Sequence, residues 1–182
     1  MDLIAGTDEV GRGCLAGPVV AAAVILKKRI DNLKDSKALS PKIRSELAKK
    51  IFDNSYYGFG LVSNQKIDEI NILNASLLAM KRAILNLPIK PTLVLVDGIH
   101  KPDLEISMRA IIGGDSSEDA ISAASIIAKV FRDDLMIKYE KKYPGFDFQN
   151  NKGYGTKYHL QALKDFGSCP IHRKTFKGVL TT

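Results

Sequence analysis

The run Leu93-Val94-Leu95-Val96, closed by Asp97-Gly98, constrains the fold more than any other stretch of this chain. A continuous branched apolar run without polar alternation is stable as a strand only when both faces are covered, which is the habit of parallel strands flanked by helices. Its carboxylate then stands at the rim, and the carboxyl ends of strands in such sheets are where ligands gather. The start of the chain repeats the pattern, with Leu3-Ile4-Ala5-Gly6-Thr7 leading to Asp8-Glu9 and then Val10-Gly11-Arg12-Gly13. Glycines there permit positive φ and close approach of the backbone to a ligand. Arg12 offers a planar fork suited to phosphate. Acid and base side by side make sense when a divalent cation lies between carboxylate and phosphate. Taken alone, the same residues read equally well as a charged turn after an edge strand.

The remaining elements follow from punctuation and period. Val19 to Leu26 follows Gly17-Pro18 and is expected to pair with the first strand as a hairpin, its β-branched ends outweighing its alanines. Ser40-Pro41 marks the N-cap and first turn of a helix running to about Asn54. Tyr57 to Val62 reads as a third strand. Ile72 to Leu87 has helical apolar spacing and stops before Pro88. Glu105 to Ile112 is expected as a strand, and a long helix from about Glu118 to Tyr143 follows Gly113-Gly114-Asp115. Small residues in the first half of that helix would let it lie close to the sheet. Gly153-Tyr154-Gly155 precedes a helix capped by Thr156 and stopped by Gly167. No repeat or linker interrupts the 182 residues. The expectation is a single α/β domain, a mixed central sheet flanked by helices, with residues 144–182 as a basic C-terminal helical extension that binds substrate.

The formal net charge of +7 suggests an anionic partner, nucleic acid being the commonest for a basic domain. Residues 151–182 hold six Lys/Arg against Asp165 alone, so a duplex is expected along that side, the alternative being solvated charge with no partner. Cys14 and Cys169 lie far apart without ligand spacing, which indicates neither a disulfide framework nor a zinc site and suits a reduced compartment. The first residues lack the features of a signal peptide, and Val19 to Leu26 is too short to span a bilayer. A cytoplasmic protein without membrane attachment is expected. His100, His159 and His172 show no metal-binding spacing, and Cys14 has no identifiable partner base.

Asp8, Glu9, Asp97 and Asp115 each sit where a strand or turn gives way to glycine. If the strands of Asp8 and Asp97 are neighbours, their carboxylates face one another, and four acids at close range stay ionised only beside cations. Two Mg²⁺ or Mn²⁺ ions would satisfy them. Consecutive strand residues point to opposite faces, so Glu9 joins Asp8 only where the chain turns into the loop. Each acid also has a plain structural reading. Asp115 and Glu118 fit a capping box, and Asp97-Gly98 is a common turn.

Together, Gly6-Thr7-Asp8-Glu9-Val10-Gly11-Arg12-Gly13, Gly17-Pro18, Asp35-Ser36-Lys37, Val96-Asp97-Gly98, Gly114-Asp115, Ala123-Ala124-Ser125-Ile126-Ile127-Ala128-Lys129-Val130, Arg132-Asp133, Gly153-Tyr154-Gly155-Thr156 and His172-Arg173 match, in order, the motifs of ribonuclease HII, which the chain resembles over nearly its whole length. The resemblance implies an RNase H-like fold, with Asp8, Glu9, Asp97 and Asp115 as catalytic, metal-binding acids. Asp8 would bridge two ions, Asp115 would help hold the ion that activates water, and Glu9 with Asp97 would serve the leaving-group side. It implies hydrolysis of the RNA strand of RNA/DNA hybrids and cleavage 5′ of ribonucleotides embedded in duplex DNA, leaving a 3′-hydroxyl and a 5′-phosphate, in DNA repair. The loop Gly11, Arg12, Gly13 and Tyr154 would read the junction, with Lys37 on a phosphate and Arg173 and Lys174 as further substrate contacts. Departures from the pattern are Gly113, where many relatives carry lysine, and Asp133, an extra acid in some members that could here simply pair with Arg132. No glutamine-plus-aromatic clamp-binding peptide follows Lys177, and the first acid comes too early for the platform domain of type HIII. A monomer is expected. Two rivals remain. One is a non-catalytic nucleic-acid-binding module. The other is a dinucleotide-binding enzyme, for which Gly11-Arg12-Gly13-Cys14-Leu15-Ala16 fits the fingerprint but Gly17-Pro18 and a β-rich run replace the required helix.

Overall fold

A computed structural model describes residues 3–33 and 39–179. The two apolar runs that end in acids lie side by side at the middle of a five-stranded sheet. In chain order the elements are β1 (Ile4–Val10), β2 (Val19–Leu26), α1 (Pro41–Asp53), β3 (Ser55–Val62), α2 (Asn64–Leu85), β4 (Leu93–Asp97), β5 (Met108–Ile111), α3 (Gly114–Ser117), α4 (Asp119–Lys142), α5 (Phe148–Asn151) and α6 (Lys157–Phe166). The strand order is β3-β2-β1-β4-β5. β1 and β2, like β2 and β3, pair antiparallel, whereas β1–β4 and β4–β5 are parallel. Thr7 stands opposite Val96, so Asp8 and Asp97 leave the sheet as neighbours.

Alternation along β2 explains its alanines. Val19, Ala21, Ala23 and Ile25 face one core with Ile67, Ala75, Ala79 and Met80 of α2. Ala22 and Val24 face the other with Leu47 and Ile51 of α1 and Ala123, Ile126 and Ile127 of α4. Period-two alternation with both faces apolar is what a central strand between helical layers requires. Small side chains let the helices come near. A Cβ at Gly6 would lie 2.2 Å from the Ala120 carbonyl carbon, so β1 meets α4 backbone to backbone. A third core joins Leu15 and Ala16 to Met136, Phe146, Phe148, Leu163 and Ile171, packing the C-terminal segment against the loop after β1.

Several expected boundaries shift. α2 starts at Asn64, eight residues before Ile72, because Ser63 caps it by accepting from the Lys66 N–H. Asn71 breaks it with φ 65° and ψ 166°, and its side chain accepts from the Asn74 N–H at 3.1 Å, opening a second helical segment. The apolar period revealed only that second segment. β5 is confined to Met108–Ile111, since Leu104 and Ile106 pack on the core instead of extending the ladder. The capping box of Asp115 and Glu118 does not form: Asp115 lies inside α3, and Glu118 stands before α4 without a side-chain cap. No helix among the described residues is long and apolar enough to cross a membrane.

Candidate active site

Three elements deliver the four acids. Asp8 and Glu9 come from the end of β1, Asp97 from the end of β4 and Asp115 from α3. Asp8 is 6% exposed, and one carboxylate oxygen accepts from the Glu9 N–H at 2.7 Å. Burial first, and then the Glu9 charge, push its pKa up to about 8, while a hydrogen bond with Ser125 pulls the other way. Burial also raises Glu9, opposed by Arg12, whose guanidinium sits 3.0 Å from the Glu9 carboxylate. The Asp97 charge raises both. Its carboxylate accepts from the Asp115 N–H at 3.3 Å, and the Ser122 hydroxyl holds the Asp115 carbonyl.

Asp8, Glu9 and Asp97 line one cleft of about 460 Å³, together with Val10 to Gly13, Arg44, Ser125, Lys129 and Tyr154. Both Asp8 and Glu9 reach it because the cleft wraps the end of β1. Asp115 is buried, adjoins Asp97 through that N–H bond and is not among the residues lining the cleft. Among the described residues, no three carboxylate, imidazole or thiol groups close into a ready-made ion cage. The donor set nonetheless fits hard divalent cations. It is all carboxylate oxygen, and a cation would offset the mutual repulsion and burial that push the Asp8 pKa up,.

A family model described as ribonuclease HII matches residues 5–179. The chain belongs to the ribonuclease HII family. The ribonuclease HII of Pelagibacter ubique is 54% identical over 182 residues, covering 98% of each chain. Among solved structures, the ribonuclease H2 of Pyrococcus horikoshii OT3 superposes with a TM-score of 0.80 at 31% identity, over 97% of this chain and 94% of the other. The ribonuclease HII of Archaeoglobus fulgidus, solved in complex with PCNA, gives 0.75 at 27% identity over 99% and 98%. The expected RNase H-like α/β fold is thus present, and the chain is an endoribonuclease of a metal-dependent nuclease family.

With the ribonuclease HII fold in view, the other site residues divide. Tyr154 stands on the cleft wall, 41% exposed. Lys37 lies outside the described residues. Arg173 is a correction: it is wholly buried, and its guanidinium is used up by the carbonyls of Gly11, Arg12 and Gly17. It supports the loop from inside the protein and, at 0% exposure, presents no accessible group to a duplex. Asp133 pairs with Lys129 at 2.7 Å, not with Arg132. Arg132 is also fully buried and donates to Ala16, Pro18 and Lys152 carbonyls.

Sequence reasoning missed Arg44 and Arg132. Arg132 left a signal, since it continues the i+4 row Ala124, Ala128, Arg132, Met136, all buried, and a charge on an apolar stripe needs partners. Arg44 left none, lying among exposed charges near the start of α1.

His159 and His172 form a buried pair away from the cleft. The Cys169 N–H donates to His172 Nδ1 at 2.9 Å, so His172 carries its proton on Nε2. That proton faces His159 Nε2 at 2.9 Å, which leaves His159 Nδ1–H to donate to the Tyr154 carbonyl at 2.8 Å. The order is set by the network. Burial lowers both pKa values, with His159 adding to the effect on His172, which falls to about 4. Both rings are neutral, and the chain of bonds ends at Tyr154.

Proposed function

We propose that this cleft hydrolyses the RNA strand of RNA/DNA hybrids and cuts 5′ of single ribonucleotides in duplex DNA, leaving 3′-hydroxyl and 5′-phosphate ends. Asp8, Glu9, Asp97 and Asp115 are its catalytic acids and hold two divalent ions, Mg²⁺ or Mn²⁺. The observation that carries the reading is the burial of Asp8 against Glu9 and Asp97 where two parallel strands end, in a cleft also lined by Arg12, Arg44 and Lys129. Such ions supply a nucleophile from water near neutral pH and offset charge growing on the phosphate.

The chain's own groups do the rest. Ser125 lines the cleft with Asp8 and favours its charged form. Arg12, half-exposed in its pair with Glu9, can exchange that partner for a phosphate oxygen once Glu9 engages an ion. Amides of the Gly11-Arg12-Gly13 loop meet the 2′-hydroxyl, the one group that separates RNA from DNA at a given site. Tyr154 packs on the sugar that follows. Lys157, Lys164, Lys174 and Lys177 give the exposed basic side along which the duplex lies,. The protein works as a cytoplasmic monomer. Its two cysteines are free, in keeping with a reduced compartment.

The rivals fare worse. The loop after β1 runs into β2, so no helix N-terminus is available for a dinucleotide pyrophosphate,. A mere binding module has no use for buried acids facing a polyanion. The test is a labelled DNA duplex carrying one ribonucleotide, incubated with Mg²⁺, Mn²⁺ or EDTA. A cut immediately 5′ of the ribonucleotide, with either ion and not with EDTA, is expected; cutting in EDTA or within all-DNA segments contradicts the reading.

A further inference from the structure

The two largest fully buried side chains are Arg132 and Arg173, and neither meets a carboxylate within ion-pair distance among the described residues. A buried guanidinium without a counter-charge is expensive, and apolar replacements of buried charges are often neutral or stabilising. Here six backbone carbonyls take the donors. Arg173 Nη2 donates to Gly11 O at 2.6 Å, Nη1 to Arg12 O at 2.8 Å and Nε to Gly17 O at 3.1 Å. Arg132 donates to Pro18 O at 3.0 Å, Lys152 O at 2.8 Å and Ala16 O at 3.1 Å. The second arginine therefore ties the loop to the turn that carries Tyr154.

A trans peptide unit is planar, with the carbonyl of one residue antiparallel to the N–H of the next. Because Arg173 draws the Gly11 and Arg12 carbonyls inward, the N–H groups of Arg12 and Gly13 point away from it, and both residues line the cleft. Neither N–H donates to another backbone group of the loop. We propose that Arg173, braced by Arg132, is the positioning residue that aims these two amides at the ribose, so that selectivity for a 2′-hydroxyl is set from inside the protein. The proposal rests on the reading of Gly11-Arg12-Gly13 as the ribose sensor. Only arginine serves, since its rigid fork supplies several in-plane donors where lysine offers one point charge. His172, next in the chain, places this arginine through the bridge between Ala16 and His172, with Gly17 N–H donating to Ile171 O and Arg173 N–H to Leu15 O, each at 2.8 Å.

The test compares wild type with Arg173→Lys and Arg173→Met. Because the guanidinium of Arg173 bonds carbonyls and none of the four acids, Mn²⁺ affinity should stay within about twofold, while kcat/KM on a single-ribonucleotide duplex falls about 10- to 100-fold, the loss typical of a charge-assisted hydrogen bond. The Arg12 and Gly13 amide resonances should shift more with that duplex than with the all-DNA one in wild type, and equally with both in Arg173→Lys. A merely structural role would lower Tm yet leave kcat/KM per folded molecule and the amide response intact, and that result overturns the proposal. If wild-type amides answer both duplexes alike, the ribose reading itself fails. If they discriminate in wild type and still do so in Arg173→Lys, only the role of Arg173 fails. Should neither variant fold, the wild-type Arg173 Nε–H resonance decides. It should be protected from exchange and shift with the ribonucleotide-bearing duplex alone, and indifference to both duplexes overturns the proposal.

Discussion

His172 shows how much of this site depends on one side chain that never meets substrate. Its ring stays neutral because burial and His159 hold its pKa near 4, well below the usual 6.5. A depressed folded-state pKa means that the unfolded chain takes up the proton first, so the stabilisation is complete above pH 6.5 and is lost as pH falls toward 4. Urea unfolding at pH 7.5, 6 and 4.5 should show that decline, and His172→Gln should flatten it while lowering stability at pH 7.5. An equal slope in the variant would remove the pair as its source. Neither histidine could be assigned this role from sequence, because a contact between residues 159 and 172 through a single shared proton has no local pattern. The acids were more legible. Asp8 and Asp97 each close an apolar run, whereas the parallel pairing of β1 with β4, which the sequence left open, is seen only in the fold.

Among the elements, the loop between β1 and β2 is held by two buried arginines. Gly11 has φ +93°, and a Cβ there would lie 2.2 Å from Arg132 Nε. Gly11→Ala therefore incurs backbone strain of roughly 1–2 kcal/mol and also displaces the arginine that holds Ala16, Pro18 and Lys152. We expect a lower Tm and a loss of cleavage that extra Mn²⁺ does not restore, measured by thermal melting and by rate against metal concentration. Gly13→Ala serves as the control for Tm alone, since its nearest neighbour would be Tyr154 Cε1 at 3.9 Å. Helix limits were legible where a capping residue stood beside an apolar stripe, as at Ser40 and Thr156. They were not at α2, where the segment before Asn71 has a cap but no clear stripe, and the left-handed break is encoded only by an asparagine side chain.

Taken whole, the molecule places a negative centre beside a positive flank, and the duplex must satisfy both. Tyr154, fixed through its carbonyl to His159 and through its turn to Arg132, stands at the cleft edge. Tyr154→Ala should lower kcat/KM on a single embedded ribonucleotide more than on a long hybrid, compared in the same buffer; equal losses would remove its junction role. The surplus of lysine and arginine in residues 151–182 was evident from the sequence, but not that Arg173 is interior. Its partners lie 156 to 162 positions away, and only the folded chain reveals that a positive charge there belongs to the core.

The most direct measurement pairs cleavage with binding for Asp97→Asn. Asp97 sits beside Asp8, bonds the Asp115 N–H and raises the pKa of both β1 acids, so removing its charge weakens the proposed ion site without touching the basic flank. Cleavage of a single-ribonucleotide duplex should fall by about 10³-fold or more, with duplex affinity held to within a few-fold when both are measured at one salt concentration. Turnover close to wild type, with binding intact, would contradict the assignment of these carboxylates as the catalytic centre.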